Sequence, residues 1–206
     1  MPFPDSGGRS SRSQNRSTQT GNPLSRNDRP LLKPRTYVDS AIRTILLVLA
    51  TILMGLSPLG FVSVPGFGGA ITFLHLPMIL AATLESPLAA ALVGATFGLV
   101  AWWMVPTLPL PFHIGARVLA GLTAGLTFQA ISSAASEGSK LTVASAVTAV
   151  VGTAANTLFM SMAVLFLGLS DIETLLSVAL VHGGIEVAAA LLFIPPLTIA
   201  LKGRTA

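Results

Sequence analysis

The stretch that decides the fold is GGAITFLHLPMILAATLESPLAAALVGATFGL, residues 68–99. It is apolar almost throughout, yet His75 and Pro77 lie near its start, and Glu85 and Pro87 interrupt its middle. A helix needs about 20 apolar residues to cross the hydrocarbon of a bilayer, within a range of roughly 17–25. We therefore predict two helices joined by a tight turn between Glu85 and Pro87. A proline suits the first turn of a helix, where its missing N–H costs little.

The composition of the whole chain is that of an integral membrane protein. Of its 206 residues, 52% are hydrophobic and only 10% are charged, whereas a soluble domain carries about a quarter charged residues. Mean hydropathy is +0.76. The chain has no cysteine, which excludes disulfides, thiolate catalysis and cysteine-ligated metals. Eight of the 12 Lys and Arg residues lie between Arg9 and Arg43, so the basic charge belongs to a tail and not to a nucleic-acid-binding surface.

We predict an all-α integral membrane protein that is a compact bundle of six transmembrane helices. Residues 1–36 are polar and nearly lack large apolar side chains, which predicts a disordered basic tail. The membrane domain is residues 37–206. Its second span is short for a bilayer, and it either gains length from loop residues or lies buried among its neighbours. The predicted spans are 40–58, 71–85, 87–104, 113–133, 141–168 and 173–200.

The basic residues outside the spans orient the bundle by the positive-inside rule. They precede or open the first span, lie between the fourth and fifth spans as Lys140, or follow the sixth span as Lys202 and Arg204. We therefore predict that the N and C termini are cytoplasmic. The remaining long connections contain no Lys or Arg and are predicted to face outside: 59–70, 105–112 and 169–172.

The first outer loop, residues 59–70, is rich in glycine and proline and moderately apolar. Such a loop can fold over a site as a lid, because glycine adopts backbone angles that other residues avoid. A plain connector explains the same composition about as well. The residues that would form the lid are Gly66, Phe67, Gly68 and Gly69.

Polar residues inside the predicted spans are the candidates for a functional site, because charge is costly in a bilayer. Depths follow from a rise of about 1.5 Å per residue of helix. All but one of these side chains fall in the outer half of the membrane or near its midplane, which predicts a polar cavity that opens to the outside. The candidates are His75, His113, Arg117, Asn156, His182 and Glu186.

Every candidate except His182 also has a purely structural interpretation. Arg117 can pair with Glu186 merely to hold the bundle together. His113 is expected at the membrane interface, and His75 can hydrogen bond to a neighbouring carbonyl. Asn156 can make a hydrogen bond between helices.

Aromatic and small residues complete the pattern. Trp102 at the outer end of the third span fits an interfacial aromatic belt, and stacking on a ligand ring is the alternative. The third and fourth spans each carry two glycines four residues apart, which lets helix backbones approach closely.

No P-loop, GxSxG or HExxH motif is present. His182 and Glu186 alone make a weak metal site, and we predict no metal.

Four stretches in the same order resemble a known family of membrane proteins. They match the substrate-binding S components of energy-coupling factor (ECF) vitamin transporters, within the folate and pantothenate group. The likeness covers all six spans, residues 40–201. The stretches are ITFLHLPMILAATLESPLAAALVGATFGL (71–99), ARVLAGLTAGL (116–126), VVGTAANTLFM (150–160) and VHGGIEVAAALLFIPPLTIAL (181–201).

The resemblance implies a vitamin-binding subunit in a prokaryotic plasma membrane, not an enzyme. Such a subunit joins a transmembrane coupling subunit and two ATPase subunits, so ATP would be used by the partners and no cofactor is expected on this chain. The vitamin would be small and carry a carboxylate, as pantothenate and folate do. Arg117 would hold the carboxylate through bidentate hydrogen bonds. The other implied ligand contacts are Asn156, His182, Glu186, His75 and Trp102.

Two other classes of protein fit the same polar residues. A stand-alone ion-coupled carrier would use His182 and Glu186 as its titrating pair and would transport without partners. A structural membrane protein would use the polar side chains to hold its helices together and would bind no small molecule tightly.

Overall fold

The elements of the fold are six helices and one β-hairpin, within the described residues 37–63, 70–134 and 140–202 of a computed structural model. The predicted tail, 1–36, and the predicted lid residues, 66–69, lie outside the described residues. The order along the chain is α1 (Tyr37–Gly55), β1 (Phe61–Ser63), β2 (Ala70–Thr72), α2 (His75–Leu84), α3 (Pro87–Met104), α4 (Leu110–Ala134), α5 (Lys140–Phe166) and α6 (Ile172–Lys202).

The turn between α2 and α3 lies where the sequence predicts it. The α2 helix ends at Leu84 and α3 begins at Pro87. Ser86 is extended, and its hydroxyl oxygen accepts a hydrogen bond from the Ala89 N–H at 3.1 Å. A serine cap followed by proline at the first helical position stabilises a helix start, so the prediction is confirmed for a local physical reason.

The α2 helix is too short to cross a membrane. It has 10 residues, because it begins only at His75, and the first two residues of the predicted span 71–85 belong to strand β2 instead. Eight of its residues are buried, and it contacts all five other helices. The second span thus lies buried among its neighbours. The other five helices are long and apolar enough to cross a bilayer by length and composition.

Glycines set the close approach of α3 and α4. A Cβ atom added at Gly98 would lie 2.6 Å from the carbonyl oxygen of His113, and one at Gly121 would lie 2.5 Å from that of Ala90. Real Cβ atoms do not come so close, so any larger residue would push the helices apart. Both contacts confirm that the paired glycines of the sequence are packing positions.

The outside of the bundle is richer in large apolar side chains than the surface of a soluble protein. The interior holds small and hydroxylated residues such as Thr51, Thr148 and Ala120, each fully buried. Large apolar residues such as Leu180 and Leu192 lie mostly exposed on the outside. Leucine on the outside of the bundle is what a lipid environment favours, and small residues inside allow tight helix contacts.

One end of the bundle, which we call the hairpin end, carries the β1–β2 hairpin and the loops 105–109 and 167–171. The hairpin is antiparallel and pairs Phe61 with Thr72. The α5 helix stops at this end in a Schellman motif, in which Gly168 has φ +63° and the Leu169 N–H donates to the Val164 carbonyl oxygen at 3.1 Å.

At the opposite end, which we call the Glu85 end, charged side chains join three helices. The Arg43 Nε lies 3.4 Å from a carboxylate oxygen of Glu85, and the Ser40 hydroxyl donates to the other oxygen at 2.6 Å. Lys202 donates to the Thr83 carbonyl oxygen at 2.8 Å. The side chain of Glu85 is only 1% exposed, so it is a paired, buried carboxylate and not a solvated surface charge.

Candidate functional site

The candidate functional site is a cavity of about 580 Å³ at the hairpin end. It lies between β2, α4, α5, α6 and the loops that flank them. Its volume is in the range of small-molecule binding sites, roughly 300–1,000 Å³. The lining residues are Ala70, Thr72, Val105, Thr107, Leu108, Arg117, Asn156, Thr157, Met160, Ser161, Val164, Leu169, Leu175, Val178, His182 and Glu186.

Arg117 is the buried cation of this cavity. Gly94 on α3 packs against the backbone carbonyl of Arg117, so α3 and α4 are in close contact at this position. The guanidinium lies over the Phe97 ring, with its central carbon 4.8 Å from the ring centroid. The residue is 6% exposed, and its Nε and Nη1 atoms have no hydrogen-bond partner among the described residues.

Glu186 contributes the carboxylate of the cavity. Its Oε1 accepts a hydrogen bond from the backbone N–H of Thr72 at 2.9 Å, so α6 holds strand β2. No ion pair within 4.0 Å joins it to Arg117. The two side chains share the cavity, as the sequence predicts, but they do not form the direct structural pair that was the alternative.

Asn156 and His182 bring neutral polar groups to the same cavity. They lie on α5 and α6 and are 3% and 7% exposed. The side-chain amide oxygen of Asn156, Oδ1, and the His182 Nε2 have no hydrogen-bond partner among the described residues. A buried polar atom without a partner carries a free-energy cost that a ligand can relieve.

His75 lies next to the cavity but does not line it. It is fully buried, and its Nδ1 donates to the Thr72 carbonyl oxygen at 2.8 Å. This is the carbonyl contact that was the structural alternative for His75. Together with Glu186 it holds both polar groups of the Thr72 backbone, so the position of β2 depends on two side chains from two helices.

The structure separates two other aromatic or basic candidates from the cavity. Trp102 is half-buried and does not line it. His113 is 3% exposed and does not line the cavity either. It lies in the first turns of α4, where Gly98 packs against its backbone carbonyl, and its interfacial depth stays a prediction.

Sequence reasoning missed the hydroxyl groups of the cavity. Thr72, Thr107, Thr157 and Ser161 all line it. The sequence signal for them was weak, because threonine and serine are common in membrane helices and usually bond to their own backbone. Only the position of Thr157, next to Asn156, pointed to a site.

The chain also has no metal-binding cluster in its described parts, where no group of three or more His, Asp or Glu side chains gathers.

Two further cavities are apolar and face the outside of the bundle. One, between α5 and α6, includes Gly183 and Gly184 in its lining. These glycines therefore border an apolar groove and not the polar cavity.

The sequence comparisons agree with this architecture. No individually curated protein matches the chain. The family model for the substrate-specific component of ECF transporters matches residues 39–198, which cover all six helices apart from their outermost residues. A match over more than three quarters of the sequence establishes the family. The chain is therefore a multi-pass membrane protein that belongs to the substrate-specific S components of ECF transporters, the substrate-binding subunits of these transporters and not enzymes.

Proposed function

We propose that this chain captures a small, carboxylate-bearing vitamin, such as pantothenate or folate, with high affinity from outside the cell. The observation that carries the proposal is the set of buried polar atoms without partners at one cavity, on Arg117, Asn156 and His182. Leaving three such groups unsatisfied is costly unless a ligand completes them.

Arg117 is the main determinant of ligand charge. Its guanidinium carries a permanent charge, and it is buried without an ion-pair partner within 4.0 Å among the described residues. A carboxylate would form charge-assisted hydrogen bonds with it, and these are stronger than bonds between neutral groups. Asn156 and His182 then offer hydrogen bonds to neutral groups of the same ligand.

The proposed orientation places the hairpin end outside the cell and both termini in the cytoplasm. The basic residues Lys140 and Lys202 support it, because both lie at the Glu85 end of the bundle and the positive-inside rule puts them in the cytoplasm. The cavity would then open outward, with the segment from Gly66 to Gly69 as its lid. We place the subunit in a prokaryotic plasma membrane.

The proposed partners supply the energy of transport. A transmembrane coupling subunit and two ATPase subunits would join this chain, and ATP would be used only by the ATPases. The chain contains no P-loop sequence GxxxxGK[ST], which is consistent with that division of labour.

Native mass spectrometry of the gently purified chain tests the proposal. We expect a co-purified anionic vitamin, or a mass shift when pantothenate or folate is added. If the natively folded protein neither co-purifies with a vitamin nor binds an added one, vitamin capture is excluded.

An arginine pair provides the matched variants for the same experiment. Arg117→Met should abolish binding of the anionic vitamin but leave the ligand-free protein as stable as before, because a buried unpaired charge is removed. Arg43→Met removes an arginine at the Glu85 end and should leave binding unchanged. Equal binding by both variants would contradict a carboxylate contact at Arg117.

A further inference from the structure

We propose that the ligand of this cavity is an aliphatic carboxylate with hydroxyl or amide groups, and not an acid built on an aromatic ring. This inference rests on the proposed function and narrows its substrate class. It depends on what the walls of the cavity offer beyond Arg117.

The described lining contains no Phe, Tyr or Trp residue. Flat aromatic ligands are typically held by stacking on aromatic side chains, an interaction with a distinct geometry and a substantial free energy. The guanidinium of Arg117 covers a face of Phe97, and neither Phe97 nor Trp102 belongs to the lining.

The apolar walls are branched or flexible aliphatic side chains. Val105 and Leu108 come from the loop before α4, Met160 and Val164 from α5, and Val178 from α6. They come from one loop and two helices, so aliphatic side chains line more than one wall of the cavity. Methionine adapts to irregular shapes, and such walls can pack around a branched aliphatic body.

The polar groups between these walls suit a ligand that carries several hydrogen-bonding groups. The hydroxyls of Thr107, Thr157 and Ser161 line the cavity together with the amide of Asn156. Hydroxyl groups both donate and accept hydrogen bonds, so they can meet ligand hydroxyls and amides alike. Glu186 lies in the same lining, and its ionised carboxylate only accepts hydrogen bonds, so in that form it favours a ligand that also carries an O–H or N–H donor.

Binding titrations of the purified full-length chain with four acids test this inference. The probes are pantothenate and biotin, which have aliphatic carboxylate arms, and folate and nicotinate, in which an aromatic ring is central. We expect at least one aliphatic acid to bind about ten-fold or more tightly than both aromatic acids. Tighter binding of folate or nicotinate overturns the inference but keeps vitamin capture. Binding of none of the four counts against vitamin capture itself.

Two methionines on α5 give a matched pair for the preferred aliphatic acid. Met160 lines the cavity, whereas Met162 is 56% exposed and borders the outer groove between α5 and α6. Met160→Ala should weaken binding about ten-fold through lost apolar contact, and Met162→Ala should leave it unchanged. Equal affinities of the two variants would show that the aliphatic wall does not contact the ligand. The melting temperature of each ligand-free variant checks that both are folded.

Discussion

At the scale of single residues, the cavity combines groups that would be unfavourable without a ligand. Asn156 is the clearest case, because its side-chain amide oxygen is buried and has no partner among the described residues. Thr83 is the opposite case, since its hydroxyl oxygen lies 2.9 Å from that of Thr198. The two sites therefore predict opposite effects of removing a polar group.

Asn156→Leu should separate binding from stability. Without ligand, the variant should be as stable as the parent or more stable, because an unsatisfied buried acceptor has been removed. Its affinity for the vitamin should fall about ten-fold or more, since a buried hydrogen bond is lost. Thermal unfolding and binding titrations measure the two effects.

Thr83→Val serves as the contrasting variant. It leaves the Thr198 hydroxyl without its partner, so the free energy of unfolding should fall by about 1 kcal/mol, while vitamin affinity stays unchanged. A loss of stability in Asn156→Leu as large as that in Thr83→Val would show that Asn156 is a structural residue.

The limits of sequence reasoning are visible in the surroundings of Glu186. The spacing of His182 and Glu186 puts both on one face of a helix, so their shared cavity could be predicted. The contact of Glu186 with the Thr72 N–H could not be predicted, because it depends on a strand formed by residues 70–72. That strand follows from pairing with residues 61–63, and a three-residue apolar segment carries no periodic signal of its own.

At the scale of helices and strands, the contact between α3 and α4 is the part of the fold that the sequence states most directly. Glycines at four-residue spacing predicted close packing, and the helices approach so closely that the space between them cannot hold an added Cβ atom. The length of α2 was less accessible to prediction. A short buried helix and a short membrane span share the same apolar composition, and only contacts with five other helices distinguish them.

Two glycines on α4 provide a prediction for this contact. Gly121→Ala should destabilise the protein, because the added Cβ would lie 2.5 Å from the Ala90 carbonyl oxygen. Gly115→Ala should be neutral or stabilising by up to about 1 kcal/mol, since nothing lies within 4 Å of its added Cβ and alanine favours helix. Thermal unfolding in detergent compares the variants. Equal melting temperatures would contradict the close contact.

The start of α6 gives a prediction about pH. The Thr174 N–H donates to Asp171 Oδ1 at 2.8 Å and caps the helix, and this hydrogen bond lowers the pKa of Asp171 below its usual value. Because this pKa is lower in the folded state, the ionised Asp171 stabilises the cap fully at pH values above the usual pKa of aspartate. That stabilisation is lost as the pH falls through the lowered value.

Amide hydrogen exchange measures the strength of this cap. The protection factor of the Thr174 amide, which is corrected for the intrinsic effect of pH, should decrease as Asp171 becomes protonated. Asp171→Asn keeps a capping oxygen but cannot titrate, so its protection should be independent of acid pH. A parent protein with the same flat profile would show that Asp171 does not control the cap.

At the scale of the whole molecule, the two ends of the bundle differ in their chemistry. The hairpin end holds an open cavity with unpartnered polar atoms. The Glu85 end is closed by contacts among α1, α2 and α6, including Arg43 with Glu85 and Lys202 with Thr83. A molecule that is open at one end and closed at the other binds from one side of the membrane only, so its orientation decides whether it captures or releases substrate.

The orientation is testable because the chain has no native cysteine. Thr107 is exposed at the hairpin end and Ser133 is exposed near the end of α4, at the Glu85 end. In intact cells, a membrane-impermeant maleimide should label Thr107→Cys and not Ser133→Cys, and permeabilised cells should show labelling of both. Because Thr107 lines the cavity, bound vitamin should also slow its labelling. The reverse pattern, with only Ser133→Cys labelled from outside, would turn the cavity toward the cytoplasm and contradict uptake through it.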